Sequence, residues 1–212
     1  MNEEFKKILE DLEKKKETEK PAVQKEAVKK EKKSITKLVV EFVSIIASSI
    51  VAIMLIFTFA FRIVGVNGPS MMNTLLNGDW LLVSAFIPEP ERGDIVIVTQ
   101  PNAFNEPIVK RVIAVEGDTI DIDFENAEVI INGKVIDEPY LSTPTTDDEG
   151  AWDYPITLKE GQVFVMGDNR QHSSDSRSPD IGLIDENYIL GQVILRFAPI
   201  GDFKFFGDYD YE

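Results

Sequence analysis

Two kinds of apolar pattern divide the chain. From Phe42 to Phe61 there are 20 consecutive residues without a charge, FVSIIASSIVAIMLIFTFAF. At 1.5 Å per residue they make about 30 Å of helix, the thickness of a bilayer's hydrocarbon core. A buried core helix has the same composition, but in a chain of 212 residues so long an uncharged run predicts a membrane span. A cleavable signal peptide fits poorly, because its apolar region is about 7–15 residues long and sits close to the N-terminus. Beyond residue 70 the pattern changes to short β-branched runs: Asp79–Ala85, Asp94–Thr99, Ile108–Val115, Thr119–Asp123, Glu128–Ile131, Gln162–Met166 and Tyr188–Phe197.

Turn residues separate these runs at Asn77-Gly78, Arg92-Gly93, Glu116-Gly117 and Gly167-Asp168. In Val129–Ile136 the central Asn132-Gly133 predicts a two-residue hairpin, since both residue types accept the positive φ of a type I′ turn. Residues 137–160, with Pro139, Pro144 and Pro155 among acids and threonines, read as an irregular excursion. No long 3.6-residue period follows residue 70. The pattern predicts a mainly β domain preceded by a single transmembrane helix, without internal repeats.

Composition narrows the chemistry. With no Cys, the chain has no disulfide, thiolate metal site or Cys nucleophile. With one His, His172, it has no paired-His metal site, and a Ser-His-Asp triad has one possible base. Lys+Arg total 22 against Asp+Glu 37, a net charge of −15, which argues against nucleic acid as a partner. A hydrolase built from this sequence would run on Ser, Lys, Asp or Glu.

Charge is also unevenly placed. Residues 1–37 hold twelve Lys and nine acids, leaving 10 basic and 28 acidic residues for the rest. Lys25, Lys29, Lys30, Lys32, Lys33 and Lys37 precede the span closely, and only Arg62 follows it closely. By the positive-inside rule the N-terminus is cytoplasmic and the β domain extracytoplasmic. The expected division is a charged tail over 1–37, an anchor over 38–64 and a β-rich domain over 65–212. Within the tail, Phe5, Ile8, Leu9 and Leu12 have helical spacing; an interfacial amphipathic helix and a solvated charged tail are both open.

Three segments carry candidate chemistry. One is Gly68-Pro69-Ser70-Met71-Met72-Asn73-Thr74-Leu75, just past the span. Another is Ile108-Val109-Lys110-Arg111-Val112-Ile113, a strand with a lysine inside an apolar run. The last is Gly167–Arg177, a dense polar loop after an apolar strand. A free lysine has a pKa of about 10.4, so at pH 7 only about one in a few thousand is neutral. An apolar site disfavours the charged form, and a neutral amine can accept a serine hydroxyl's proton. A strand-edge lysine with its head in water is the alternative. In the third segment Asp168, Arg170, Asp175 and Arg177 supply two pairs of opposite charge, either as a solvated turn or as a shell that orients reacting groups.

Together the segments resemble the type I signal peptidase family of membrane-anchored Ser-Lys proteases. Its boxes are matched in order by Ser70-Met71-Met72 with Thr74-Leu75, by Arg92-Gly93-Asp94-Ile95-Val96, by Lys110-Arg111-Val112-Ile113 with Gly117-Asp118, and by Gly167-Asp168-Asn169-Arg170 with Ser173, Asp175, Ser176 and Arg177. Asn73 and Glu116 stand where the family usually has proline. The resemblance implies a signal-peptidase-like antiparallel β domain with Ser70 as nucleophile and Lys110 as general base. Ser173 would hydrogen-bond the amine, while Asp175, Arg170 and Arg177 brace its loop, and no metal or cofactor is required. Because Gly68 has no hydroxyl, the oxyanion would rely on the backbone N–H of Ser70.

The implied substrate is the signal peptide of an exported preprotein. It would be flanked by Val66, Asn67, Gly68, Pro69, Met71, Ile108 and Val109. Met71, Met72, Trp80, Leu81 and Phe86 are candidates either for a lip resting on membrane lipid or for core packing. The competing readings are a non-catalytic signal-peptidase-like factor assisting pilus or surface-protein assembly, a self-cleaving repressor-type peptidase, and a triad through His172.

Overall fold

The computed structural model describes Glu10, residues 35–86 and residues 89–207. The expectations for Phe5, Ile8, Leu9 and Leu12 lie outside those residues. The chain divides into two compact units, residues 1–55 and 56–212.

Among the described residues one helix, α1 (Ile35–Ala60), is long and apolar enough to cross a membrane, spanning about 39 Å at 1.5 Å per residue. Its apolar side chains are exposed, Phe42 and Phe59 among them. Ser48 and Ser49 both donate their hydroxyls to the Ile45 carbonyl, at 2.9 and 2.8 Å. Each hydroxyl thus keeps a partner that does not depend on water.

All seven predicted runs appear as strands, within about two residues at each end. The strands are β1 (Phe61–Gly65), β2 (Trp80–Ser84), β3 (Ile95–Val98), β4 (Ile108–Ala114), β5 (Thr119–Asp123), β6 (Glu128–Ile131), β7 (Lys134–Val135), β8 (Ile156–Thr157), β9 (Gln162–Met166), β10 (Ile184–Asp185), β11 (Ile189–Ala198) and β12 (Lys204–Phe205). β1 differs from the sequence reading, which carried the anchor on to residue 64. Phe61 closes the apolar run and Arg62–Gly65 is too short to show a period of its own. What makes this segment a strand is antiparallel pairing with β2, from Phe61↔Ser84 to Gly65↔Trp80.

The large sheet runs β1-β2-β11-β3-β4-β9-β10, with β12 on β11; the small one runs β7-β6-β5-β8. All the pairings are antiparallel. Asn132 and Gly133 take φ of 52° and 81°, the turn that Asn-Gly predicts. The excursion over 137–160 is irregular apart from β8, which pairs two residues with β5.

Both faces of the large sheet are covered around β3. Ile95 and Ile97 join a core with Val66, Met71, Leu75, Leu81, Val83 and Val193, while Val96 and Val98 join another with Val112, Val163, Val165, Ile181 and Ile184. Continuous burial on alternating faces explains why this strand reads as an unbroken apolar run. A third core lies between the sheets, from Ile113 and Phe164 to Ile120, Ile131 and Leu158. A strand that crosses such a region places every side chain in a water-poor environment, polar ones included. That is the position of β4.

Candidate active site

β4 is buried from residue 110 to its end. Its register sets Lys110 opposite Val96 and Arg111 opposite Ile95, so the two cations leave the strand on opposite faces. Lys110 is only 3 % exposed. Its Nζ lies 2.9 Å from Ser70 Oγ. Burial is the largest influence on the amine and lowers its pKa to about 8, with the Asp175 charge opposing and the Arg177 charge assisting. No carboxylate lies within 4.0 Å of Nζ among the described residues. The group is a desolvated base with a serine hydroxyl as hydrogen-bond partner.

The Ser70 turn is tied down from several sides. Gly68 has φ 102°, a conformation in which a side chain would be strained, and its N–H donates to Asn77 Oδ1 at 3.0 Å. Asn169 donates its Nδ2 to Pro69 O (3.1 Å) and its backbone N–H to Ser70 O (3.0 Å). The N–H of Ser70 itself has no acceptor among the described residues. Asn73 is exposed and outside the core, and Glu116 accepts a hydrogen bond from Gly161 N at 3.0 Å.

Gly167 permits the close approach of these parts. A Cβ there would come within 2.5 Å of Ser70 O and 2.2 Å of Ser173 Oγ. Sequence reading took this glycine for a turn residue. Its φ is ordinary, and its requirement is lack of bulk, which no local pattern announces.

The polar loop is a buried network, not a solvated turn. Asp175 accepts from Arg177 Nε at 2.8 Å, from Arg177 Nη2 at 2.9 Å and from Gly167 N at 3.0 Å. Ser173 donates to Asp175 Oδ2 at 2.8 Å. Among the described residues Ser173 makes no hydrogen bond to Lys110 Nζ, the contact that the resemblance implies for it, although a hydroxyl that donates to a carboxylate can still accept from an amine. Arg177 also reaches Glu149 at 3.5 Å, and burial raises the pKa of that carboxyl.

The other two charges of the loop do not pair with each other. Asp168 accepts from Arg111 Nε and Nη2, at 2.9 and 2.7 Å, and from the Thr74 hydroxyl. Arg170 pairs with Glu138 at 2.5 Å and donates to Gly167 O at 3.0 Å. Glu138, Thr145 and Tyr140, which stacks on the Arg111 guanidinium 3.9 Å away, all come from the irregular excursion. Their distance in sequence from the loop hid them.

A cleft of about 340 Å³ opens beside the Ser70–Lys110 contact. Of the residues expected to flank a peptide, Val66, Asn67, Met71, Ile108 and Val109 line it, together with Ser70 and Lys110. Gly68 and Pro69 shape the turn instead of lining the cleft. Val64, Gly65, Phe104, Glu106 and Pro107 also line it and were not singled out by sequence.

One edge of β4 is open there. Val112 donates to Asp94 O at 2.8 Å, so by two-residue alternation Lys110 and Ile108 also turn their backbone toward β3. Val109 therefore turns its N–H and C=O to the other edge, where β9 pairing has ended with Met166 opposite Arg111.

Of the apolar residues with two readings, Met71 and Leu81 are buried in the core, whereas Met72, Trp80 and Phe86 are exposed. His172 is exposed, and its side chain makes no hydrogen bond among the described residues. Nothing couples it to Ser70.

The chain is similar to known proteins. Residues 39–198 match the family described as signal peptidase, peptidase S26. Signal peptidase I S of Bacillus subtilis (strain 168) is 35% identical over 191 residues, covering 84% of this chain and 98% of the relative. Signal peptidase I of Bacillus licheniformis is 38% identical over 173 residues, covering 77% and 91%. A crystal structure of a signal peptidase I from Enterococcus faecalis V583 aligns with 50% of this chain and 98% of that one, at 28% sequence identity and a TM-score of 0.40.

Proposed function

Because this chain belongs to the signal peptidase family, peptidase S26, we propose that it is a serine endopeptidase that removes N-terminal signal peptides from exported preproteins. In this reading Ser70 is the nucleophile and Lys110 the general base. The observation that carries it is the 2.9 Å contact between a serine hydroxyl and an amine that burial has brought down to a pKa of about 8. At that pKa roughly one amine in ten is neutral at pH 7, against roughly one in a few thousand for a free lysine.

The neutral amine takes the Ser70 proton as Oγ attacks the scissile carbonyl. The resulting ammonium returns the proton to the leaving amine, and an acyl-enzyme remains. The backbone N–H of Ser70 stabilises the oxyanion, an interaction worth about 3–4 kcal/mol in comparable sites. Water, deprotonated by the same amine, then releases the cleaved signal peptide. Asp175 and Arg177 fix the loop that seats Gly167 against Ser70; Ser173 acts through Asp175, and Arg170 braces the loop through Gly167 O and Glu138.

An extended peptide would add to the open edge of β4 at Val109, with Val66, Asn67 and Met71 on its other side. Shallow apolar walls of this kind favour small side chains near the cut. The tail over 1–37 is assigned to the cytoplasm, α1 to the membrane, and the β domain to the outer surface, where cleavage sites emerge.

Lipid contact is supported by an apolar row on one face of the sheet. Ile63 is opposite Leu82, Leu82 opposite Leu195, and Leu195 opposite Phe205, with exposed Trp80 on the same face and exposed Phe86 beyond β2. The non-catalytic alternative has no observation in its favour, since nucleophile and base are both present and in contact.

The test is preprotein cleavage by the purified full chain in detergent. Ser70→Ala and Lys110→Ala are each expected to lose at least about a thousandfold in rate while retaining the β spectrum. Lys110→Arg is expected to be equally inactive, because a guanidinium does not shed its proton. Normal cleavage by any of the three variants overturns the assignment.

A further inference from the structure

The cleft beside Ser70 continues past the first residue of β4 to the turn that feeds it, where Phe104, Glu106 and Pro107 form its wall. That turn is ordered by its own side chains. Asn102 Oδ1 accepts from Phe104 N and Asn102 Nδ2 donates to Glu106 O, both at 2.9 Å, and Asn105 adopts φ 55°. Phe104 is 51 % exposed, so its ring is available to a ligand. Among the described residues lining the cleft, Glu106 is the sole carboxylate.

The sheet dictates how a peptide reaches this wall. Beyond Lys110 the edge of β4 is taken by β9, from Arg111↔Met166 onward. Residues that precede the scissile bond therefore have only the open stretch before Lys110 to pair with, and the peptide runs parallel to β4. With the residue before the cut beside Lys110, alternate residues fall beside Ile108 and then Glu106. Four extended peptide residues reach about 13 Å, enough to pass Ile108, where β4 begins, and arrive at the turn that carries Glu106.

We infer that Glu106 and Phe104 form a subsite for a cationic side chain on the fifth residue counted back from the cut. A carboxylate supplies charge and hydrogen-bond acceptors to an ammonium or guanidinium, and an aromatic face adds a favourable quadrupole. This inference rests on the peptidase reading above and sharpens it from small residues near the cut to charge farther upstream.

The experiment uses the full chain in non-ionic detergent and peptide pairs that differ only in Lys or Glu at the fifth position. Exposed ion pairs contribute up to about 1 kcal/mol, so kcat/KM for the Lys peptide should exceed that for the Glu peptide by roughly five-fold at low salt. The ratio should shrink toward one at about 0.5 M salt, because both groups face solvent. It should fall to about one in Glu106→Gln and below one in Glu106→Lys. Moving the charge to the eighth position should also abolish the preference.

A ratio near one for the unaltered protein, or the same ratio in Glu106→Gln, overturns the subsite and leaves the peptidase reading standing. Failure of the unaltered protein to cut any of the peptides overturns the peptidase reading and this inference with it.

Discussion

Lys110 and Arg111 are neighbours on one strand and both are buried, yet they meet burial in opposite ways. Arg111 retains its charge because Asp168 receives two of its N–H groups, Gly93 O receives another, and Tyr140 covers the guanidinium face. Lys110 has a neutral hydroxyl as partner and keeps Asp175 at a distance, so losing the proton is its least costly response. The same strand thus holds a permanent cation that knits the domain together and a labile one suited to proton transfer. What separates them is how completely each is compensated, since their depth is similar.

The largest effect expected from breaking this contrast is on stability. Asp168→Ala leaves the Arg111 guanidinium buried without its carboxylate, which typically costs about 3–5 kcal/mol. A thermal unfolding midpoint close to that of the unaltered protein would show that Arg111 finds compensation elsewhere.

The converse change should stabilise. A lysine whose folded pKa is about 8 against an ordinary 10.5 carries a penalty of about 3 kcal/mol while both states are protonated. The unfolded chain binds more protons between those two values, so the penalty is complete below pH 8 and disappears as pH rises from 8 to 10.5. Lys110→Met is therefore expected to be more stable than the unaltered chain at pH 7, by less than that amount because the Ser70 contact is lost too. The gain should fade by pH 10. An equal gain at both values would mean that the amine is not desolvated.

A smaller effect should appear in the rate. If Lys110 is the base, kcat/KM rises with pH and levels off above about 8, with a value at pH 7 roughly tenfold below the plateau. A pH dependence that vanishes in His172→Ala would transfer the base to the histidine.

Sequence singled out the serine and the lysine that the fold brings into contact, and most of the large sheet, because both rest on local signals: β-branched runs, Asn-Gly chemistry and a lysine among aliphatics. It did not disclose β1, whose strand character comes from register with β2. Nor did it identify Glu138, Thr145 or Tyr140 as partners of Arg170 and Arg111, since side chains some 30 residues apart share no period. Gly167 was visible as a glycine but not as a contact, because crowding by Ser70 O is a property of the folded arrangement.

The open edge at Val109 is also short. An exposed sheet margin offers unpaired amides to any extended chain, which is how unrelated molecules come to polymerise edge to edge. Here β9 closes that margin at Arg111 and the Asn102–Pro107 turn ends it before Ile108. A guest strand would find a berth only a few residues long, room for one short segment and too little to nucleate a fibril.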